Sequence, residues 1–327
     1  MYKSLLNLYL KYSTTEKAFR MAAKTLSLLR SIPFGRQLLR LHYKSRIKDN
    51  LRQEVFGLDF KNPVGLAASV DKDASYFDIL SEFGFGFIEV GPMCIHSDTT
   101  QIKLHNETKL KRAVEHLRTE RPECIISGNI TRNEKSKGQT EVIRDYEEAF
   151  ALLYDFVDMI VISPQYSSLD PEGQADISDI PDIIDRMLTL RMYYDVNKPI
   201  LVRLTPSLSH SQTEELINCC LSSGIDGVVA GSTVSSISDP GGNELFVRNL
   251  EFVKYIKEKS DGLLPIIAVG GIMNGEGALK MLDAGAMLVE VFTGFFREGP
   301  SIVNEIVNYI AAKTKDRAKK AITEQYE

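Results

Sequence analysis

Eight short runs of apolar and β-branched residues recur from residue 64 onward, separated by segments long enough to form helices. They are Val64–Ala68, Gly86–Gly91, Glu123–Gly128, Val157–Ser163, Pro199–Leu204, Asp226–Gly231, Leu264–Gly270 and Ala286–Phe292. Between most of them lie helical patterns: Tyr76–Phe83, Glu141–Leu153, Ile180–Tyr194, Ser211–Ser222, Glu251–Lys259 and Gly277–Ala284. Strands that are apolar at nearly every position are buried on both faces, which requires a parallel sheet covered by helices. Eight of them fit a closed (β/α)8 TIM barrel, an α/β fold, better than an open sheet. At 327 residues the chain is long enough for one such barrel. Residues Ile102–Arg121 are the exception, polar where a strand–helix unit should be clear. Val55–Phe60 is expected to form a small hairpin strand that plugs the barrel bottom.

The first fifty residues differ in charge. Residues 1–50 carry a net +9 and residues 51–327 a net −14. We therefore read 1–50 as a basic, amphipathic helical segment and 51–327 as the barrel. Helices are expected over Met1–Tyr12, from Thr14 or Thr15 to Leu29, and from Arg36 to Tyr43. Two readings stay open for them: an apolar stripe packed on the barrel, or a module on a membrane surface with Lys and Arg facing headgroups. No apolar run approaches the ~20 residues of a membrane span, and Lys11 interrupts the first leucine cluster before any signal-peptide cleavage site. Cys94, Cys124, Cys219 and Cys220 show no CxxC spacing, and the histidines show no metal-ligand pattern. No metal is expected. The cysteines suit a reducing compartment, so the chain reads as cytoplasmic, peripheral at the inner face of the cell membrane in the second reading. The acidic body argues against nucleic acid as a partner.

In a barrel of this kind the chemistry sits at the C-terminal strand ends. Strand 7 ends in Gly270-Gly271 and strand 8 in Phe292-Thr293-Gly294, glycine-rich turns that let backbone N–H groups approach a phosphate. Strand 1 ends in Ala67-Ala68-Ser69, flat enough for a planar ligand, with Lys72 close behind. Asn129 ends strand 3 and can donate and accept at a heterocycle edge. Ser163 ends strand 4, followed by Pro164-Gln165, and serves as a proton acceptor only in a dry pocket or with a relay. Arg203 ends strand 5, where a cation among apolar residues demands an anion. Strand 6 ends in Gly231-Ser232-Thr233. A phosphorylated planar cofactor fits this set, and FMN is the expectation. No GxGxxG dinucleotide fingerprint follows the first strand.

Longer strings carry a family resemblance. Val55–Ala68, Asp71-Lys72-Asp73, Phe83–Gly91, Leu264–Ile272 and Gly294–Pro300 together resemble the quinone-dependent (class 2) dihydroorotate dehydrogenases. That resemblance implies an FMN flavoprotein that oxidises dihydroorotate to orotate in pyrimidine biosynthesis and passes the electrons to quinone. It implies Ser163 as the catalytic base. It implies Ala68, Ser69, Lys72, Asn129, Arg203, Gly231, Gly270, Gly271, Phe292, Thr293 and Gly294 around the cofactor, and Lys72, Gln165, Ser232 and Thr233 around the substrate. The basic N-terminal helices resemble the family's membrane-associated, quinone-admitting module.

The chain departs from the family pattern at the site. Arg203 stands for a Lys, Ser69 for a Gly and Pro92 for a hydroxyl residue. Ile160 stands for the Asn before the catalytic Ser, and Gln165 for the Asn after it. Gly231-Ser232-Thr233 replaces a Thr-Asn-Thr. No Asn-rich segment lies between His96 and Arg121, and in the quinone module Phe19 and His96 replace an expected His and Arg. Each lost amide removes a partner for a polar ligand edge. Two other readings follow: an FMN barrel acting on another substrate, and a non-catalytic barrel that binds a phosphorylated ligand or a partner.

Overall fold

The computed structural model describes residues 28, 32–43, 49–94, 109–119, 121–166, 175–232 and 242–325. Eight parallel strands close into a barrel. In chain order they are β3 (Val64–Leu66), β4 (Phe87–Met93), β5 (Ile125–Ile130), β6 (Met159–Ile162), β7 (Ile200–Leu204), β8 (Gly227–Ala230), β9 (Ile266–Val269) and β10 (Leu288–Val291), and β10 pairs with β3 to complete the ring. Each expected run overlaps one of them, and β4 and β5 each continue two residues past the expected end. Two shorter strands precede the barrel, β1 (Gln53–Val55) and β2 (Leu58–Phe60), paired as an antiparallel hairpin. The turn between them, Phe56-Gly57, has φ +55° and +73°, the two left-handed positions that suit a tight hairpin. Val55 and Phe60 pack into the lumen, so the plug is formed by two strands instead of one.

Helices cover the outside, among them Gln139–Leu153, Ile180–Arg191, His210–Ser223, Asn243–Lys259 and the long Ile302–Gln325. Cys219 and Cys220 lie on the third of these, and all four cysteines are free thiols. The polar stretch before Arg121 also yields a helix, Lys109–Thr119. Its Leu110, Ala113, Val114 and Leu117 are buried at the spacing of one helical face. Among the described residues no helix is long and apolar enough to cross a membrane.

The expected helices over 1–12 and 14–29 fall outside the described residues, apart from Leu28. Helix Gly35–Tyr43 is present, with Leu39 and Tyr43 packed against the core. Its cations turn inward: the Arg40 Nε donates to Glu82 at 2.7 Å, and Arg36 pairs with the same carboxylate at 3.3 Å. Glu82 is buried, and a buried carboxylate needs a paired cation, which Arg36 and Arg40 supply. Phe34, Leu38 and Leu41 are left exposed.

Candidate functional site

Side chains alternate in and out along a strand, so parity decides which residues enter the lumen. Phe87, Met159, Leu201, Ile267 and Leu288 fill its lower part. One period farther along β4, β7 and β10, the same parity delivers Glu89, Arg203 and Glu290. On β6 it delivers Val161 and then Ser163. Ile160 faces the other way, into the layer between barrel and helices. This corrects the sequence match that set Ile160 in the place of a site Asn: the inward residue before Ser163 is Val161. An Ile cannot enter the lumen there without reversing every other residue of the strand.

Three charges meet inside the barrel. The Arg203 Nη2 donates to Glu89 Oε1 and lies 3.6 Å from Glu290 Oε2. Asn129 Nδ2 donates to the same Glu89 oxygen at 2.6 Å. Both glutamates are fully buried, while 18% of the Arg203 side chain is exposed. Burial works against the Arg203 charge, but Glu89 and Glu290 together outweigh it and hold the guanidinium above its ordinary value. Burial, then the neighbouring Glu89, pushes the Glu290 carboxyl well above the usual carboxylate range, with Arg203 opposing. Several buried polar atoms here have no hydrogen-bond partner among the described residues: Glu89 Oε2, both Glu290 carboxyl oxygens, Asn129 Oδ1, Ser127 Oγ and Ser163 Oγ. Sequence reasoning singled out Arg203 and Asn129 and missed both glutamates. The signal was available, since Glu89 and Glu290 interrupt apolar strand runs just as Arg203 does.

Ser163 is held by its backbone and free at its side chain. Its N–H donates to the Ile130 carbonyl at 2.8 Å, and its own carbonyl accepts the Tyr146 hydroxyl at 3.0 Å. The residue is 8% exposed. Gln165 lies two residues on, but Arg132 engages its amide at both ends, with the Gln165 Nε2 donating to the Arg132 carbonyl at 3.1 Å and the Arg132 Nε donating back to Oε1 at 3.3 Å. The Tyr166 hydroxyl donates to the Arg203 carbonyl at 2.6 Å and ties the β6 end to β7.

At the β3 end, Ala67 and Ala68 are buried. Ser69 takes φ +77°, a conformation that favours glycine. Its N–H donates to the Gly91 carbonyl at 2.6 Å, and the Gly91 N–H donates to the Asp71 carbonyl at 3.0 Å. The buried Asp71 carboxyl accepts the Ser75 and Tyr76 N–H groups at 2.8 and 2.9 Å. Burial pushes that carboxyl up to about 7 against those donors. Lys72 is exposed and forms no ion pair among the described residues.

The ends of β8, β9 and β10 close on one another. Asn249, fully buried on helix Asn243–Lys259, accepts the Ser232 N–H and donates to the Ser232 carbonyl, both at 3.0 Å. A Cβ on Gly231 would stand 2.1 Å from the Val269 carbonyl oxygen, and one on Gly270 2.1 Å from the Ser232 carbonyl oxygen. On Gly271 it would strike Phe246, and on Gly294 the Ile272 carbonyl. Packing alone therefore demands these glycines, whatever the turns hold. Helix Thr293–Glu298 begins at the β10 end, with Phe292 as its N-cap residue beside the lumen. The Thr293 and Gly294 N–H groups open that helix and have no carbonyl within it to bond. The barrel thus gathers Ala68, Ser69, Asn129, Ser163, Arg203, Gly231, Ser232, Gly270, Gly271, Phe292, Thr293 and Gly294 at the C-terminal ends of its strands. Lys72 and Gln165 lie in the loops just beyond. Thr233 and His96 fall outside the described residues.

The comparisons with known proteins agree on the chain's relatives. A family model described as dihydroorotate dehydrogenase matches residues 103–313. A protein of Christiangramia forsetii named dihydroorotate dehydrogenase (quinone) is 33% identical, covering 96% of this chain and 99% of its own length. One of the same name from Coxiella burnetii is 31% identical, covering 80% of this chain and 85% of its own length. The crystal structure of DHODH from Eimeria tenella in complex with ferulenol superposes with a TM-score of 0.76 at 21% identity, covering 94% of this chain and 93% of that one. That likeness is one of fold; the sequence matches carry the kinship. The chain belongs to the dihydroorotate dehydrogenase family, on its quinone-dependent branch.

Proposed function

We propose that the chain is an FMN-dependent oxidoreductase that oxidises dihydroorotate to orotate and passes the electrons to a quinone. The observation that carries this reading is Ser163: a buried serine at a strand end, fixed by two backbone hydrogen bonds, with an unpartnered hydroxyl. It supports a proton acceptor held ready for a substrate that is not part of the fold.

The residues fit a flavin. Asn129 Oδ1 and Ser163 Oγ are buried and unpartnered, and the Ala67-Ala68 floor is flat and apolar. Ala68, Ser69, Lys72, Asn129, Arg203 and Gly231 would hold the ring, and Gly270, Gly271, Phe292, Thr293 and Gly294 the phosphate. When bound, FMN supplies the two-electron acceptor for the substrate's hydride. Ser163 takes the proton from the substrate ring. Lys72 supplies the positive charge that fixes an anionic substrate. Ser232, held by Asn249, and Thr233 bound the substrate side, and Gln165 joins them on exchanging its bonds to Arg132. Residues 1–50 form the quinone-admitting, membrane-surface module at the inner face of the cell membrane, with 51–327 as the barrel. The outward Phe34, Leu38 and Leu41 support an apolar contact with lipid.

One observation favours a second reading, an FMN barrel acting on another substrate. Val161 presents an apolar surface beside Ser163, and Gln165 already spends its amide on Arg132. The test is anaerobic mixing of the flavin-loaded protein with dihydroorotate. Bleaching of the flavin band, slowed by at least about 10²-fold in Ser163→Ala, supports the first reading. A bound flavin that dihydroorotate leaves oxidised supports the second.

A further inference from the structure

We propose that Glu290 is a positioning residue: it shares one proton with Glu89, and the pair clamps the Arg203 guanidinium inside the barrel as a cluster without net charge. The geometry of the proton does not depend on the flavin. Its consequence for the cofactor rests on the proposed function.

The argument begins with a count. Two carboxyls and one guanidinium meet in a space where both carboxyls are fully buried. If both were ionised, one negative charge would be buried without a partner, which the interior does not tolerate. One carboxyl therefore keeps its proton.

The hydrogen bonds say which. Glu89 Oε1 receives two donors, from Arg203 and from Asn129 at 2.6 Å. Two donors on one oxygen stabilise the ionised form. Glu290 receives neither, and its nearest cation stands 3.6 Å away. The proton belongs on Glu290. Both carboxyls turn toward the same Arg203 nitrogen, Glu89 Oε1 hydrogen-bonded to Nη2 and Glu290 Oε2 3.6 Å from it, which brings the two carboxyls together. Glu89 Oε2, an atom otherwise without a partner among the described residues, is then free to accept from Glu290. One proton thus accounts for the charge and for two of the unpartnered groups.

Among the described residues no other charge intrudes. The in-register neighbours of Glu290 are Gly65 on β3 and Val269 on β9. Glu89 is level with Ser127 on β5, and Arg203 with Val229 on β8. On β6 the inward residues are Met159 and Val161. The charged groups beyond the strand ends are otherwise engaged or exposed: Asp71 on the Ser75 and Tyr76 N–H groups, Arg132 on Gln165, and Lys72 at the surface. The Tyr166 hydroxyl meets the Arg203 carbonyl and not its guanidinium. Arg203 therefore reaches the cofactor side already compensated, and its orientation is set from both sides by one charged and one neutral carboxyl.

The test is infrared spectroscopy of the full-length protein at neutral pH, as purified, in H2O and D2O. A carboxylic-acid carbonyl band above the amide I region, shifting in D2O, is expected in the native protein. It should move when glutamate is 13C-labelled, which separates it from any band of Asp71. It should disappear in Glu290→Gln. It should also disappear in Glu89→Gln, where Glu290 becomes the sole anion facing Arg203 and ionises. A second readout is the pH dependence of the melting temperature. A carboxyl with a raised folded value contributes its stability below the ordinary carboxylate range and loses it as pH rises toward the folded value. Native protein should show that decline, and Glu290→Gln should reduce it to the part that the raised Asp71 carboxyl contributes. Absence of a glutamate acid band in the native protein, or its survival in Glu290→Gln, would overturn the proposal. The labelled native protein decides the question even if a variant fails to fold. The band does not require flavin, so a protein lacking the cofactor would defeat the proposed function and leave this result standing.

Discussion

The lower and upper halves of the barrel lumen are built by the same strands with the same parity, yet they hold opposite chemistry. Below, Phe87, Met159, Leu201, Ile267 and Leu288 pack as an apolar plug over Val55 and Phe60. Above, Glu89, Asn129, Ser163, Arg203 and Glu290 enter the same cylinder and leave several polar atoms unpartnered. A step of two residues along a strand, about 7 Å, separates close packing from a group of side chains that stability alone does not explain. The lower half holds the ring closed, and the upper half uses that rigidity to fix the reacting groups.

Substitutions can break this contrast. Phe87 has the most packing to lose: it is fully buried, meets Phe60 edge-on at 5.6 Å, and covers Gly65 so closely that a Cβ there would lie 2.2 Å from its ring. Phe87→Ala should cost about 3–5 kcal/mol at every pH, read as a drop in the midpoint of denaturant unfolding. Arg203→Met tests the upper half. It leaves the one buried carboxylate of the Glu89–Glu290 pair without its cation and should cost about 3 kcal/mol at neutral pH. Because protonation neutralises that remaining carboxylate, the cost should shrink as pH falls toward the carboxylate range, unlike the Phe87 loss.

Smaller effects sharpen the boundary. Asn249→Ala frees the Ser232 N–H and carbonyl and should cost about 1–3 kcal/mol, with a larger proportional loss of cofactor affinity if the loops at β8 and β9 hold it. Ser69→Gly relieves the left-handed backbone at φ +77° and should stabilise by about 1 kcal/mol; thermal melting of the two proteins side by side checks it.

The barrel was legible because strands buried on both faces must be apolar throughout, and each expected run overlaps a strand. Helix Lys109–Thr119 was not, because Lys111, Arg112, Glu115, His116 and Arg118 obscure a buried face of only four residues, Leu110, Ala113, Val114 and Leu117. At the site, residue types were readable and parity was not. Ile160 and Val161 are neighbours of like composition, and only the strand's phase decides which enters the lumen. Glu89 and Glu290 went unread because each sits in a run whose apolar neighbours dominate; their partner, Arg203, lies 114 positions from Glu89, a distance no local pattern spans. The inward turn of Arg36 and Arg40 was hidden in the same way, since it depends on Glu82 being buried.

The most direct test of the central claim is the visible spectrum of the purified full-length protein before and after anaerobic addition of dihydroorotate. An oxidised flavin band that bleaches on addition, and returns when a quinone is supplied, is the predicted result. A protein that carries no flavin even after incubation with FMN, or whose flavin dihydroorotate leaves oxidised, would contradict it.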